Sequence, residues 1–213
     1  MATYLVMIGP PGAGKGTQAS RLSEKLGLAH VSTGDIFRDN IRNKTELGTR
    51  VKELLESGTL VPDELTIALV RDRLQQPDCR TGAVLDGFPR TPAQAAALDS
   101  MLADQGLRVN VAPYISLDDK AVIERLAGRR TDRRTGKTYH LKFDPPPADA
   151  ELEQRPDDNE ETVQHRLGEY YENTAPLLDY YSERGALHQF DGELSIDALT
   201  EALIVAVGEK TVA

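Results

Sequence analysis

The chain is 213 residues long, with 39% hydrophobic and 28% charged residues, enough to bury one full core and ordinary for a globular fold. Its formal net charge of -9 argues against DNA, RNA or an acidic membrane as the main partner, because nonspecific polyanion binding draws on a basic surface. Cys79 is the lone cysteine, which rules out an internal disulfide or a cysteine-cluster metal site, and neither a leader pattern nor an apolar run of about 18 residues is visible; the expectation is a cytoplasmic protein.

The apolar run Tyr4 to Ile8 reads as a strand, and Gly9-Pro10-Pro11-Gly12-Ala13-Gly14-Lys15-Gly16-Thr17 turns it into a helix. Glycines there let the backbone aim bare N–H groups at an anion, the helix N-terminus adds partial positive charge, and Lys15 reaches the outer phosphates. The hydroxyl expected straight after the lysine is replaced by Gly16, and Thr17 is the first hydroxyl, so a magnesium ligand usual for such loops is missing at that place. Ala19, Leu22 and Leu26 mark the buried face of this helix, which stops at Gly27 before a second strand, Ala29 to Ser32. Strand, helix and strand within about 30 residues predict a βαβ unit. A parallel sheet covered on both faces follows, with ligand at the carboxyl ends of its strands.

Polar helices at Asp35 to Asn43 and Glu46 to Ser57 carry too little apolar material for a core, so residues 32–61 read as a small insertion. Pro62 and Asp63 open a helix with Leu65, Ala68, Leu69 and Leu74 inward, followed by a strand at Ala83 to Leu85 that Asp86 ends. Thr91 as cap and Pro92 at the first helical position start the next helix, which stops at Gly106. A fourth strand lies within Asn110 to Leu117 although Pro113 costs it a donor, and a short helix spans Lys120 to Ala127. Residues 128–158 hold several arginines, a turn at Thr135-Gly136, an alternating run Thr138 to Phe143 and three prolines, a composition for a projecting hairpin that moves as a lid. Helices at Asn159 to Glu172 and Ala175 to Arg184, a strand at Ala186 to Phe190 and a helix capped by Ser195 complete the domain.

The loop has the form GxPGxGKGT, and four more segments follow in a fixed order over nearly the whole chain. They are Ser32-Thr33-Gly34-Asp35 with Arg38, Asp86-Gly87-Phe88-Pro89-Arg90, Gly128-Arg129-Arg130, and Asp157-Asp158-Asn159-Glu160 with Arg166. Together they resemble the nucleoside monophosphate kinases, and among them the long-lid bacterial adenylate kinases. The resemblance implies an α/β P-loop three-layer fold with a five-stranded parallel sheet, an AMP-binding insertion at 32–61 and a lid at 128–158. It implies an enzyme passing the terminal phosphoryl group of MgATP to AMP to give two ADP, with magnesium as cofactor and a monomeric state.

The same resemblance places Lys15 on the transferred phosphates, with Gly12, Ala13, Gly14, Gly16 and Thr17 around them. Arg38 and Arg90 fall to the AMP phosphate, and Arg129, Arg155 and Arg166 close charge around the bridge. Arg125 lies against the ATP base, with Thr138, Tyr139, Gly192 and Leu194 near it. Thr33, Thr59, Leu60, Val61, Gly87, Phe88, Pro89 and Gln94 belong to the AMP site, where Thr33 and Gln94 favour adenine over a pyrimidine. Asp86, at a strand end, suits the water shell of magnesium, and Asp157 and Asp158 fasten the closed lid. Zinc-bearing relatives hold the lid with paired cysteines, whereas Asp132 and Thr135 stand at the first pair here and Pro145 to Gln154 is too short for the second, so no structural zinc is expected. Another monophosphate kinase and a slowly hydrolysing nucleotide switch are the rival readings; a switch has no use for the second arginine pair, Arg38 and Arg90.

Overall fold

The computed structural model describes residues 2–211. β1 (Thr3–Met7), β2 (Ala29–Ser32) and β3 (Gly82–Asp86) form a parallel sheet in the order β1-β3-β2. Leu85 stands opposite both Val6 and Val31. β4 (Ala112–Ser116), the short lid strands β5 (Arg129–Asp132), β6 (Thr138–His140) and β7 (Leu152–Glu153), and β8 (Leu187–Asp191) follow. The helices are α1 (Lys15–Leu26), α2 (Thr33–Arg42), α3 (Glu46–Ser57), α4 (Asp63–Leu74), α5 (Pro92–Ala103), α6 (Asp119–Gly128), α7 (Glu160–Glu169), α8 (Leu177–Glu183) and α9 (Ile196–Thr211).

In place of a single five-stranded ladder, the structure has three strands and two, with β4 and β8 paired in parallel. Isolated bridges Leu5–Val111 and Ile8–Tyr114 join the two groups. Pro113 is the reason for the break: its carbonyl accepts from Ile8 N–H at 2.8 Å, but it has no N–H to return to β1. Alternate residues of β1 serve opposite layers. Tyr4, Val6 and Ile8 pack with Phe88, Leu98 and Leu177 on one face, and Leu5 and Met7 pack with Leu22, Leu199 and Leu203 on the other. A strand covered on both faces needs a continuous apolar run, and Tyr4 to Ile8 supplies it.

α1 buries Gln18, Ala19 and Leu22 and ends on Gly27. On α4 Leu65, Leu69 and Leu74 pack inward as expected, but they are only half-buried; Thr66 and Val70 are the buried residues and Ala68 faces out. The helix is shared between two apolar clusters, the main core and a small one of Phe37, Val51 and Val61 within and beside α2 and α3, so no single face dominates. α7 does not run on to Glu172 as a regular helix. A wide π turn, Tyr170–Thr174, follows Glu169 and leads to α8.

Residues 128–158 make a three-stranded antiparallel sheet in the order β6-β5-β7 in place of the expected hairpin. The alternating run ends at His140, whose Nδ1 accepts from the backbone N–H of Lys142 (3.0 Å) and Phe143 (3.1 Å) and closes a turn. Polar pairs hold this small sheet. The buried Asp132 accepts from Arg134 N–H at 2.9 Å and Thr135 Oγ1 at 3.1 Å, Arg133 pairs with Glu153 at 2.8 Å, and Arg134 reaches Asp149 and Glu151. Apolar support is slight, for Phe143 is 48% exposed and only tilts against His140. Among the described residues no cluster of three or more His, Cys, Asp or Glu is arranged to hold a metal ion.

Candidate active site

The Gly9 to Thr17 loop ends on Gly14, whose left-handed backbone (φ 94°) starts α1 without a side-chain cap. The first turn of α1 also lacks an acid, so the N–H groups and partial positive charge of its N-terminus remain free for an anion. Lys15 folds beneath the loop, donating to the carbonyls of Gly9 (2.7 Å) and Pro10 (2.8 Å). As a residue Lys15 is half-buried, but its ammonium is surrounded by protein. Desolvation pulls its pKa down to about 7; Asp86 opposes that, while Arg90, Arg166 and Arg129 add to it. Gly16 is exposed beside the end of β3, where an added Cβ would stand 3.2 Å from Asp86 Oδ2. The missing side chain thus leaves room for a carboxylate beside the phosphate loop.

Five arginines from separate elements join Lys15 at the same cleft, close enough to perturb one another's charge. Arg129 forms a two-pronged pair with the fully buried Asp158, Nε to Oδ2 at 2.8 Å and Nη2 to Oδ1. Arg166 on α7 donates to Asp157 Oδ2 at 2.6 Å, and Arg38 on α2 to Asp35 at 2.5 Å. Arg155 is held by two threonine hydroxyls of the lid, Thr131 at 3.1 Å and Thr138 at 2.9 Å. Arg90 donates through Nε to Gly87 O at 3.0 Å. Burial lowers Arg155 to about 9, with Arg129 and Arg38 adding like charge, and Arg166 to about 10. Both stay cationic at neutral pH; Arg166 has Asp157 as counter-ion, whereas Arg155 is held by hydroxyls and leaves positive charge for an anion to meet. Burial raises the Asp157 carboxyl, but Arg166, Arg129, Arg155 and Arg38 outweigh it and leave a net lowering. Asp157 and Asp158, which could have been helix-start acids alone, are instead tied to site arginines.

A cavity of about 570 Å³ opens between α2, α3, the end of β3 and the lid, a size suited to a small ligand. Thr33, Arg38, Thr59, Leu60, Val61, Gly87, Arg90, Gln94, Arg155 and Arg166 all line it. Phe88 does not; it is wholly buried in the main core, and Pro89 lines a smaller neighbouring pocket with Lys15. Thr33 Oγ1 donates to Gly87 O at 2.8 Å, tying the insertion to the strand end. On the opposite side, Arg125 Nη2 donates to Gly192 O at 2.7 Å and its guanidinium sits 5.8 Å from the Phe143 ring. Leu194 is exposed beside it in sequence, whereas Thr138 is drawn to Arg155 and Tyr139 lies beneath Lys137.

Sequence reasoning passed over Phe143 as a neighbour of Arg125, Thr131 as a holder of Arg155, and Asp63, which accepts from Gln94 Nε2 at 2.8 Å. Asp63 was legible only as a helix-start acid, because its partner lies 31 residues away.

A glycine-rich loop with a bare helix end, facing a cleft lined by arginines, is the arrangement of a P-loop nucleotide kinase. The family model described as adenylate kinase matches residues 7–186, and the chain belongs to that family. It is similar to the adenylate kinase of Moorella thermoacetica, 50% identical over 96% of this chain and 97% of that one. The adenylate kinases of Acidothermus cellulolyticus (49%; 95% and 97% covered) and Archaeoglobus fulgidus (47%; 97% and 98% covered) are similarly related. The chain is accordingly a phosphotransferase with adenylate kinase function.

Proposed function

We propose that ATP lays its phosphates in the Gly9 to Thr17 loop and AMP fills the cavity beside residues 32–61, so that the two phosphate chains meet between Lys15, Asp86 and the arginines. The terminal phosphoryl group then passes reversibly from MgATP to AMP, giving two ADP. A phosphate oxygen of AMP bonds to the γ-phosphorus as the bond from that phosphorus to the bridging oxygen of ATP breaks. The acceptor is already ionised, so no general base is needed. Rate comes from alignment and from charge placed where negative charge spreads in the transition state.

Lys15, Arg129, Arg155 and Arg166 surround the travelling group, Arg38 and Arg90 hold the AMP phosphate, and Arg125 with Phe143 offers a flat cationic face to the ATP base. Magnesium, when bound with ATP, neutralises and orients the phosphates. The residues fit it: among the described residues no hydrogen bond or salt bridge occupies the Asp86 carboxylate, and Gly16 keeps the space beside it open. Asp86 would hold the ion's water shell. In this reading residues 32–61 form the AMP-binding insertion, residues 128–158 the lid, and the two sheets act as one five-stranded platform. A monomer in the cytoplasm, with no nucleic acid or membrane partner, completes it. No described helix is long and apolar enough to cross a membrane.

The observation that carries the reading is the convergence of Lys15 and five arginines on one cleft, with a phosphate loop at one end and a cavity at the other. Incubation with ATP, AMP and Mg²⁺ should yield two ADP per AMP consumed. ADP formed without loss of AMP would show a hydrolytic switch instead.

A further inference from the structure

Gln94, 2% exposed at the start of α5, has both ends of its amide engaged. Its Nε2 donates to Asp63 Oδ1 at 2.8 Å, and its Oε1 accepts from the backbone N–H of Arg90 at 2.7 Å. The other oxygen of Asp63 accepts from Thr91 Oγ1 at 2.8 Å, and that hydroxyl in turn accepts from Gln94 N–H at 3.1 Å. Asp63 is the first residue of α4, separated only by Pro62 from the Thr59 to Val61 stretch that lines the cavity.

We infer that Asp63 is a positioning residue that sets which purine the acceptor cavity takes, by fixing the direction of the Gln94 amide. A carboxylate only accepts and a backbone N–H only donates. A flipped amide would aim its carbonyl at Asp63 and its NH₂ at Arg90 N–H, losing both bonds and gaining two repulsive contacts. One N–H and one carbonyl lone pair of Gln94 remain for a ligand, in a fixed order. Adenine offers a donor at N6 beside an acceptor at N1; a 6-oxopurine offers an acceptor at O6 beside a donor at N1. The two bases therefore demand opposite amide directions, and a locked amide serves only one of them, which adenylate kinase function makes adenine. The inference rests on the reading that Gln94 faces the acceptor base.

The probe is IMP, which carries the 6-oxo pattern without a bulky 2-amino group. The wild type should prefer AMP over IMP by about a hundredfold or more in kcat/KM, as sites built to hydrogen-bond one partner do. In Asp63→Asn the carboxamide can offer either end to Gln94, and the AMP to IMP ratio should fall at least about tenfold. A merely structural role for Asp63 would lower the melting temperature and reduce both rates alike, leaving the ratio in place even if part of the protein is unfolded. A ratio within about threefold of wild type in Asp63→Asn, with Gln94→Leu still collapsing it, overturns the lock and leaves the reading of Gln94 standing. A ratio and AMP value unchanged in Gln94→Leu as well removes that reading and the inference with it.

Discussion

Lys15 shows how a single residue can be held ready for a ligand. Its ammonium is parked on two loop carbonyls, Gly9 and Pro10, and its pKa is lowered to about 7 by burial. Bound phosphates would restore the charge. Because the free enzyme's Lys15 is partly deprotonated above about pH 7 and the bound form is a cation, nucleotide binding should take up protons there. The sign follows from the lowered value: affinity is full below about pH 7 and declines as pH rises through it. Calorimetric titration with MgATP in buffers of different ionisation enthalpy reads the uptake, and Lys15→Met should abolish it. Lys15→Met should also cut turnover at least about a hundredfold, the scale of one removed transition-state donor, with the cooperative melting transition retained because no core contact is lost. Near-normal turnover in that variant would remove Lys15 from the chemistry.

Among the elements, those whose pattern is local were legible in the sequence and those that depend on partners were not. The loop, the Thr91 cap and the Gly27 stop announce themselves by residue type, and all three stand as expected. So did the cost of Pro113, although its result, a ladder divided at β1 and β4, depends on which side of the strand its missing N–H faces. Of the inward face read for α4, Leu65, Leu69 and Leu74 do pack inward and only Ala68 does not, because two clusters share the helix and hydropathy describes one side at a time. The lid shows the same limit. Arg133 and Arg134, exposed on the lid, pair with Glu153, Asp149 and Glu151 from a segment 15 to 20 residues on, which spacing does not disclose. At the site, motif order found the arginines and the Asp157–Asp158 pair, but not Thr131, which aims Arg155, or Asp63, which aims Gln94. Since the lid is held by such pairs around Asp132, a chelator should leave the melting temperature unchanged, and Asp132→Ala should lower it and raise the KM for ATP. The Asp132 carboxyl is held below its ordinary 3.8 mainly by Arg134 N–H, so its support is present above that value and lost as pH falls below it. One tightly bound zinc per chain, with melting lowered by chelation, would refute this account of the lid.

At the scale of the whole molecule, the proposed reading has residues 32–61, the lid and the core meet around two nucleotides, and Gly58 is a point of close contact between residues 32–61 and α7. It ends α3 with a left-handed backbone (φ 80°) and lines both the large cavity and the smaller pocket beside Lys15. Arg166 crosses directly over it: a Cβ built on Gly58 would stand 2.6 Å from Arg166 Cγ and 3.0 Å from Thr162 Cγ2. The same arginine is anchored to Asp157, next to the Arg129–Asp158 pair that ties the lid to the start of α7. A methyl group at position 58 therefore acts twice, by straining the backbone and by displacing an arginine from the phosphate cleft. Gly106 separates the two effects, because it has nearly the same backbone (φ 70°) but nothing within 4 Å of its added Cβ. Gly106→Ala should cost only the left-handed strain, about 1 to 2 kcal/mol, and leave the kinetics unchanged. Gly58→Ala should add to that loss a fall in kcat/KM of about tenfold or more, because an arginine shifted by an ångström no longer meets the transferring group squarely. Melting curves and steady-state rates on the two variants decide it. If both lose equal stability and neither loses rate, Arg166 tolerates the displacement and the meeting point at Gly58 has no part in catalysis.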